Sequence, residues 1–103
     1  MADSRFFRQQ CFINGEWLSG ERVIEVNNPA TGGIIGTAPR FGRAETRAAI
    51  DAAQDAFLEW KARPAADRAE FCRRFYQALM DNQETLARIL TIEMGKPLAE
   101  AKG

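Results

Sequence analysis

The sequence predicts an α+β arrangement in which a β-hairpin and further strands precede a three-to-four-helix bundle. Three observations in the 103 residues carry this prediction. Asn14-Gly15 stands between two short runs of strand-forming residues. Near Gly42 the apolar spacing changes to a period of 3.6. Pro64, Gly95 and Pro97 then fall where helices have to break. The organisation that follows is an arm over 1–10, a hairpin and strands over 11–41, and a helical segment over 42–103.

Each element has its own warrant. Cys11-Phe12-Ile13 and Glu16-Trp17-Leu18 flank Asn14-Gly15, two residues that tolerate the positive φ of a two-residue primed turn. Arg22 to Val26 forms a third strand, stopped by Asn27-Asn28-Pro29-Ala30-Thr31-Gly32-Gly33. Ile34 to Ala38 forms a fourth. Four short strands with so few large apolar residues need another surface to lie on.

From Ala44 to Lys61 the residues Ile50, Phe57, Ala53, Trp60, Ala49, Ala56 and Ala52 fill an apolar arc of about 160° on a helical projection. A second helix over about 64–81, with Pro64 in its first turn, carries an arc of about 200° that includes Phe71, Cys72, Phe75, Tyr76 and Leu79. A third runs from about Gln83 to Met94 and is ended by Gly95; Pro97 to Lys102 begins a fourth. A surface helix needs a stripe of only about 100°, so the first two helices are built to be covered on more than one side. The isolated chain is therefore expected to self-associate or to be partly molten.

Composition excludes much chemistry. Lys+Arg and Asp+Glu are equal at 14 each, which leaves no basic field for nucleic acid or an anionic membrane. No apolar run exceeds three residues, so neither a membrane span nor a signal-peptide core is expected, and the cytoplasm is the expected compartment. The chain contains no histidine, which removes Ser-His-Asp and Cys-His catalysis and the two-histidine zinc helix. Cys11 and Cys72 are too far apart in sequence for a Cys-x-x-Cys pair and cannot complete a four-ligand zinc site; the expected role of Cys72 is that of a small core residue. The glycines never fall at dinucleotide-fingerprint spacing, and Gly95-Lys96 is followed by Pro97 where a phosphate loop needs Ser or Thr. No catalytic, cofactor-binding or metal-binding residue is assigned.

Other residues have structural readings. Gly95-Lys96 is a helix stop with a solvated lysine. Trp17 and Trp60 are packing residues rather than ligand platforms. Arg5 and Arg8 around Phe6-Phe7 belong to a frayed or packed terminus. Arg68 and Glu93 are charges on apolar arcs. A charge taken out of water costs several kcal/mol unless paired, so the two are expected to form an ion pair between the second and third helices.

The series Phe12-Ile13-Asn14-Gly15-Glu16-Trp17, Asn28-Pro29-Ala30-Thr31-Gly32, Ala52-Ala53 with Ala56-Phe57 and Trp60, Asp67-Arg68, and Glu93 to Ala101 resembles the amino-terminal segment of the aldehyde dehydrogenase superfamily. The ending over 95–103 is most similar to the succinate-semialdehyde dehydrogenase branch. The resemblance implies that the chain is part of an α/β Rossmann-like dinucleotide-binding domain. It implies a homo-oligomeric parent that turns an aldehyde, NAD or NADP and water into an acid and reduced cofactor through a cysteine thioester. The family's nucleophile, general base and cofactor-holding residues lie beyond Gly103, and neither Cys11 nor Cys72 matches the nucleophile's position. The 103 residues alone are expected to be inactive and to bind no dinucleotide tightly. A free-standing, non-catalytic helical interaction module of the same ancestry is the other reading. The resemblance leaves succinate against glutarate semialdehyde, and NAD against NADP, undecided.

Overall fold

The computed structural model describes residues 5–103. Strand β1 (Cys11–Ile13) pairs antiparallel with β2 (Glu16–Leu18) about a turn in which Asn14 and Gly15 take positive φ of 52° and 78°. These are the conformations a two-residue primed turn demands. Phe12 lies opposite Trp17 in the register, and their rings meet at 5.0 Å. A second two-stranded sheet is formed by β3 (Val23–Asn27) and β4 (Ile34–Pro39), with a register shift at Val26/Asn27. The loop between them is held by Asn28, whose carbonyl oxygen accepts from the Gly32 N–H at 2.8 Å while its side-chain oxygen accepts from the Ala30 N–H at 2.9 Å.

Helices α1 (Arg43–Ala62), α2 (Ala65–Asp81), α3 (Gln83–Met94) and α4 (Leu98–Ala101) follow. Gly42 caps α1 without a side chain, and the Glu45 carboxylate turns back to accept the Gly42 N–H at 2.9 Å, half of a capping box. Pro64 sits one residue before α2 rather than inside its first turn, with φ −54° and an extended ψ of 145°. Asn82 is at once the last cap of α2 and the first of α3, and its side-chain amide donates to the Ala78 carbonyl at 2.8 Å.

The described part of the arm, residues 5–10, is packed. Gln9 Oε1 accepts from the Thr37 N–H at 2.8 Å, and a Cβ on Gly36 would lie 2.9 Å from the Phe7 ring. Arg5 reaches across the chain to donate to Asn82 Oδ1 at 3.1 Å.

What these elements do not form is a closed core. Ala87 on α3 is the one buried residue among those described, and none in α1 or α2 is buried. The accessible surface is 8077 Å² and the radius of gyration 16.5 Å. A compact monomer of this length has about 5,800 Å² and about 13 Å. The chain is laid out in a slab of 47 × 35 × 20 Å, and the apolar arcs read from the sequence are largely open.

Candidate functional site

Clefts of distinct chemistry lie between these elements. One, of about 780 Å³, lies where β4 turns into α1. Strand-to-helix turns hold phosphates when free backbone N–H groups and glycines let an anion approach. Here the Gly42 N–H is already taken by the Glu45 carboxylate. The lining carries Glu21 and Glu45 as well as Arg22 and Arg40, so its formal charges cancel. A dinucleotide pyrophosphate would meet a carboxylate at this helix end, and the turn does not fit that group.

A second cleft of about 600 Å³ runs between α1 and α2, lined by Phe57, Trp60 and Phe71 with Ala53, Ala56 and Arg63. Trp60 stands edge-on to Phe71 at 5.5 Å, the aromatic link between the two helices. Lys61 lies over the Phe57 ring, and Arg63 and Arg74 over Phe71, at 5.3, 5.4 and 4.7 Å. These contacts keep the cations beside the rings without closing the groove.

A third, of about 350 Å³, opens between α3 and α4 beside Thr91 and Ile92. The surrounding unit is clamped from outside. Glu84 accepts from Arg88 at 2.8 Å and from Lys102 at 2.5 Å, while Gln83 donates to the Lys102 carbonyl at 2.7 Å. The hydrogen bond from Lys102 is the main reason the Glu84 carboxyl is held below its ordinary value, with Arg88 adding to it.

The residues singled out in the sequence take these places. Cys11 is half-buried in β1, and Cys72 is exposed on α2; both are free thiols. The core placement of Cys72 is thus corrected: it shares a face with Phe75 and Leu79, and among the described residues nothing covers that face. Trp17 packs on Phe12 and carries the Arg8 guanidinium at 4.8 Å. Gly95 ends α3 at φ 81°, its N–H bonded to the Thr91 carbonyl at 2.8 Å, with Lys96 half-buried after it.

Arg68 and Glu93 do not pair. Glu93 is exposed, and Arg68 Nε is buried without a hydrogen-bond partner. Every other residue of α2 is exposed, so beyond the joint at Asn82 the arc of α2 is not covered by that of α3. Sequence reasoning missed Glu45, whose place three residues after Gly42 was the available signal, and Gln9 and Lys102, whose bonds are to distant backbone or to another helix.

The model of the aldehyde dehydrogenase family matches residues 17–103. The chain belongs to the aldehyde dehydrogenase family. Across its whole length it is 51% identical to the glutarate-semialdehyde dehydrogenase of Pseudomonas putida and spans 22% of that protein. It is 52% identical to the NADP-dependent succinate-semialdehyde dehydrogenase of Escherichia coli, with 98% of the chain and 21% of that protein covered. Among solved structures, the succinate-semialdehyde dehydrogenase of Burkholderia pseudomallei superposes with a TM-score of 0.92 at 47% identity, over 100% of this chain and 22% of that one. An NADP-dependent enzyme of E. coli superposes at 0.93 with 51% identity, over 98% of this chain and 21% of that one. The 103 residues thus span about a fifth of the length of the family members they match. Their strands-then-helices arrangement is the one found in those members. Among the described residues, no group of three or more His, Cys, Asp or Glu is placed to hold a metal ion, and no helix is long and apolar enough to cross a membrane.

Proposed function

We propose that this chain forms the amino-terminal part of an NAD(P)-dependent aldehyde dehydrogenase that oxidises succinate semialdehyde to succinate. The observation that carries the reading is the identity of half the residues, spread over the whole chain, with dehydrogenases of short dicarboxylic semialdehydes. In this reading the 103 residues are scaffold. They contribute no catalytic, cofactor-binding or metal-binding residue, and the open arcs of α1 and α2 lie against the remainder of the dinucleotide-binding domain to which the chain belongs in the parent. The strand-to-helix turn at Gly42, already filled by Glu45, supports that division. The parent is a homo-oligomer, and its compartment is the cytoplasm, in keeping with two free cysteines.

Glutarate semialdehyde is the competing substrate, favoured by the 51% identity to the P. putida enzyme of that name. A free-standing, non-catalytic module is the reading from a different class. Following the reading frame past codon 103 distinguishes the classes: a frame continuing for several hundred codons supports the dehydrogenase, and a stop there supports the module. The product of a continuing frame, assayed with each semialdehyde and each cofactor, is expected to show its highest kcat/KM with succinate semialdehyde. The 103-residue chain titrated calorimetrically with NAD⁺ and NADP⁺ is expected to show no binding; sub-millimolar affinity for either would sink the scaffold reading.

A further inference from the structure

Residues 5–10 touch three separate parts of the chain. On β4, Gln9 Oε1 accepts from the Thr37 N–H at 2.8 Å and from the Thr37 hydroxyl at 3.3 Å, which uses both lone pairs of one amide oxygen. Phe7 lies beside them over Gly36, close enough that a Cβ there would stand 2.9 Å from its ring. At the hairpin, Gln10 donates to Ser19 Oγ at 3.0 Å, and the Arg8 guanidinium lies over the Trp17 ring. At the end of α2, Arg5 donates to Asn82 Oδ1. We propose that residues 5–10 act as a strap, fastened at Gln9, that holds the β3–β4 sheet, the β1–β2 hairpin and the α2–α3 joint in one arrangement. Each of these contacts is made within the chain, so the strap is independent of which aldehyde the parent oxidises.

Two features make Gln9 the fastening point. The first is the side of β4 that it occupies. The Arg40 N–H bonds the Arg22 carbonyl, and the backbone groups of an antiparallel strand alternate in direction, so Thr37 points away from β3. Its N–H would otherwise be a free donor on the outer edge, and Pro39, the next residue facing that way, has no N–H at all. The Gln9 amide oxygen thus stands where the carbonyl of a neighbouring strand would. The second feature is the separation of the parts that the strap joins. Among the described residues the two sheets share no ladder hydrogen bond. Gln9 and Arg5 are four residue steps apart, at most about 14 Å of extended chain, so fixing Gln9 on β4 restrains where Arg5 can reach. Releasing Gln9 frees the contact at Asn82 as well.

Amide hydrogen exchange of the full chain, read residue by residue by NMR, tests this. Gln9→Ala is expected to speed exchange at Thr37 about fivefold or more and, through Arg5, to speed it at Asn82, while Ala38, whose N–H faces β3, keeps its protection. Gln9→Glu retains an acceptor oxygen and is expected to preserve the protection of Thr37 and Asn82. Gln9→Lys offers only donors and is expected to lose both. A general loosening of β4 would also speed Thr37, so Gly36→Val serves as a second variant. Valine favours a strand, yet its side chain collides with Phe7 and with Gln9 Oε1. Faster exchange at Thr37 and Asn82 with Ala38 still protected is expected there too. Unchanged exchange at Thr37 in Gln9→Ala, a rise at Thr37 with none at Asn82, loss at Ala38 in step with Thr37, or equal behaviour of the Glu and Lys variants would each overturn the strap.

Discussion

Helices α3 and α4 and helices α1 and α2 solve the same problem in opposite ways. The α3–α4 unit is largely closed, although the Thr91 hydroxyl is buried in it without a partner. Ala87 is fully buried, most of α3 is half-buried, and Glu84, Gln83 and Lys102 close the unit from outside. The α1–α2 pair is built from larger apolar residues and buries none of them. The difference is one of facing, not of hydrophobic content. An apolar arc stabilises a fold only when another element of the same chain stands opposite it, and among the described residues α2 meets α1 at the Trp60–Phe71 edge while leaving most of its arc open.

The sharpest break of this comparison is Ala87→Leu. Adding bulk at the buried position is expected to cost about 1–3 kcal/mol, read as a lower thermal midpoint. An unchanged midpoint would mean that α3–α4 is no better packed than α1–α2. Gly95→Ala comes next, at roughly 1–2 kcal/mol, because φ is 81° there and a Cβ would stand 3.0 Å from the Pro29 ring. Chemical denaturation of the two chains side by side checks it. Phe75→Ala at low protein concentration is expected to stay within about 0.5 kcal/mol, although the same change in a core costs about 3–5. A large loss would show that the face of α2 is covered within the monomer. Arg68→Met is expected to be neutral or slightly stabilising in the same assay, since it removes a buried N–H that has no partner. Loss of several kcal/mol there would restore the ion pair with Glu93.

The smallest effect concerns pH. The Glu84 carboxyl is held below its ordinary value in the folded chain, mainly by the Lys102 hydrogen bond. Its contribution is therefore fully present above the ordinary carboxylate range and is lost as pH falls through the lowered folded value. The group is exposed, so the change should escape a thermal melt. Amide exchange in α4 should report it, with protection retained through the ordinary carboxylate range and lost below it. Glu84→Gln should remove that pH dependence.

The elements were legible in the sequence because local chemistry decides them. Asn14-Gly15 allows one kind of turn, Gly95 one kind of stop, and the 3.6 period fixes where α1 to α3 run, to within a residue or two. What lies opposite a face was not legible. A helical projection placed Cys72, Arg68 and Glu93 correctly on their own helices, and the burial of Cys72 and the pairing of the two charges failed because α2 and α3 do not turn those faces together. The family motifs were legible for the same local reason, being short and ordered along the chain. The Gly42–Glu45 bond, which decides that the cleft at the β4–α1 turn is no phosphate cradle, required noticing a carboxylate three residues past a glycine cap.

Asn82 has a mechanical consequence. It terminates α2 and initiates α3 with no residue between them, so the two helices share one joint. Helix α2 is 17 residues long and extends about 25 Å from that joint, so a rotation of only about 10° there carries its far end through about 4 Å. The side chain of Asn82 bonds the Ala78 carbonyl on one side and the Arg5 guanidinium on the other. A lever arm of aromatic residues is thus tethered at its pivot by Arg5, and any rotation that loosening Arg5 allows would be largest at the far end, where Phe71 meets Trp60.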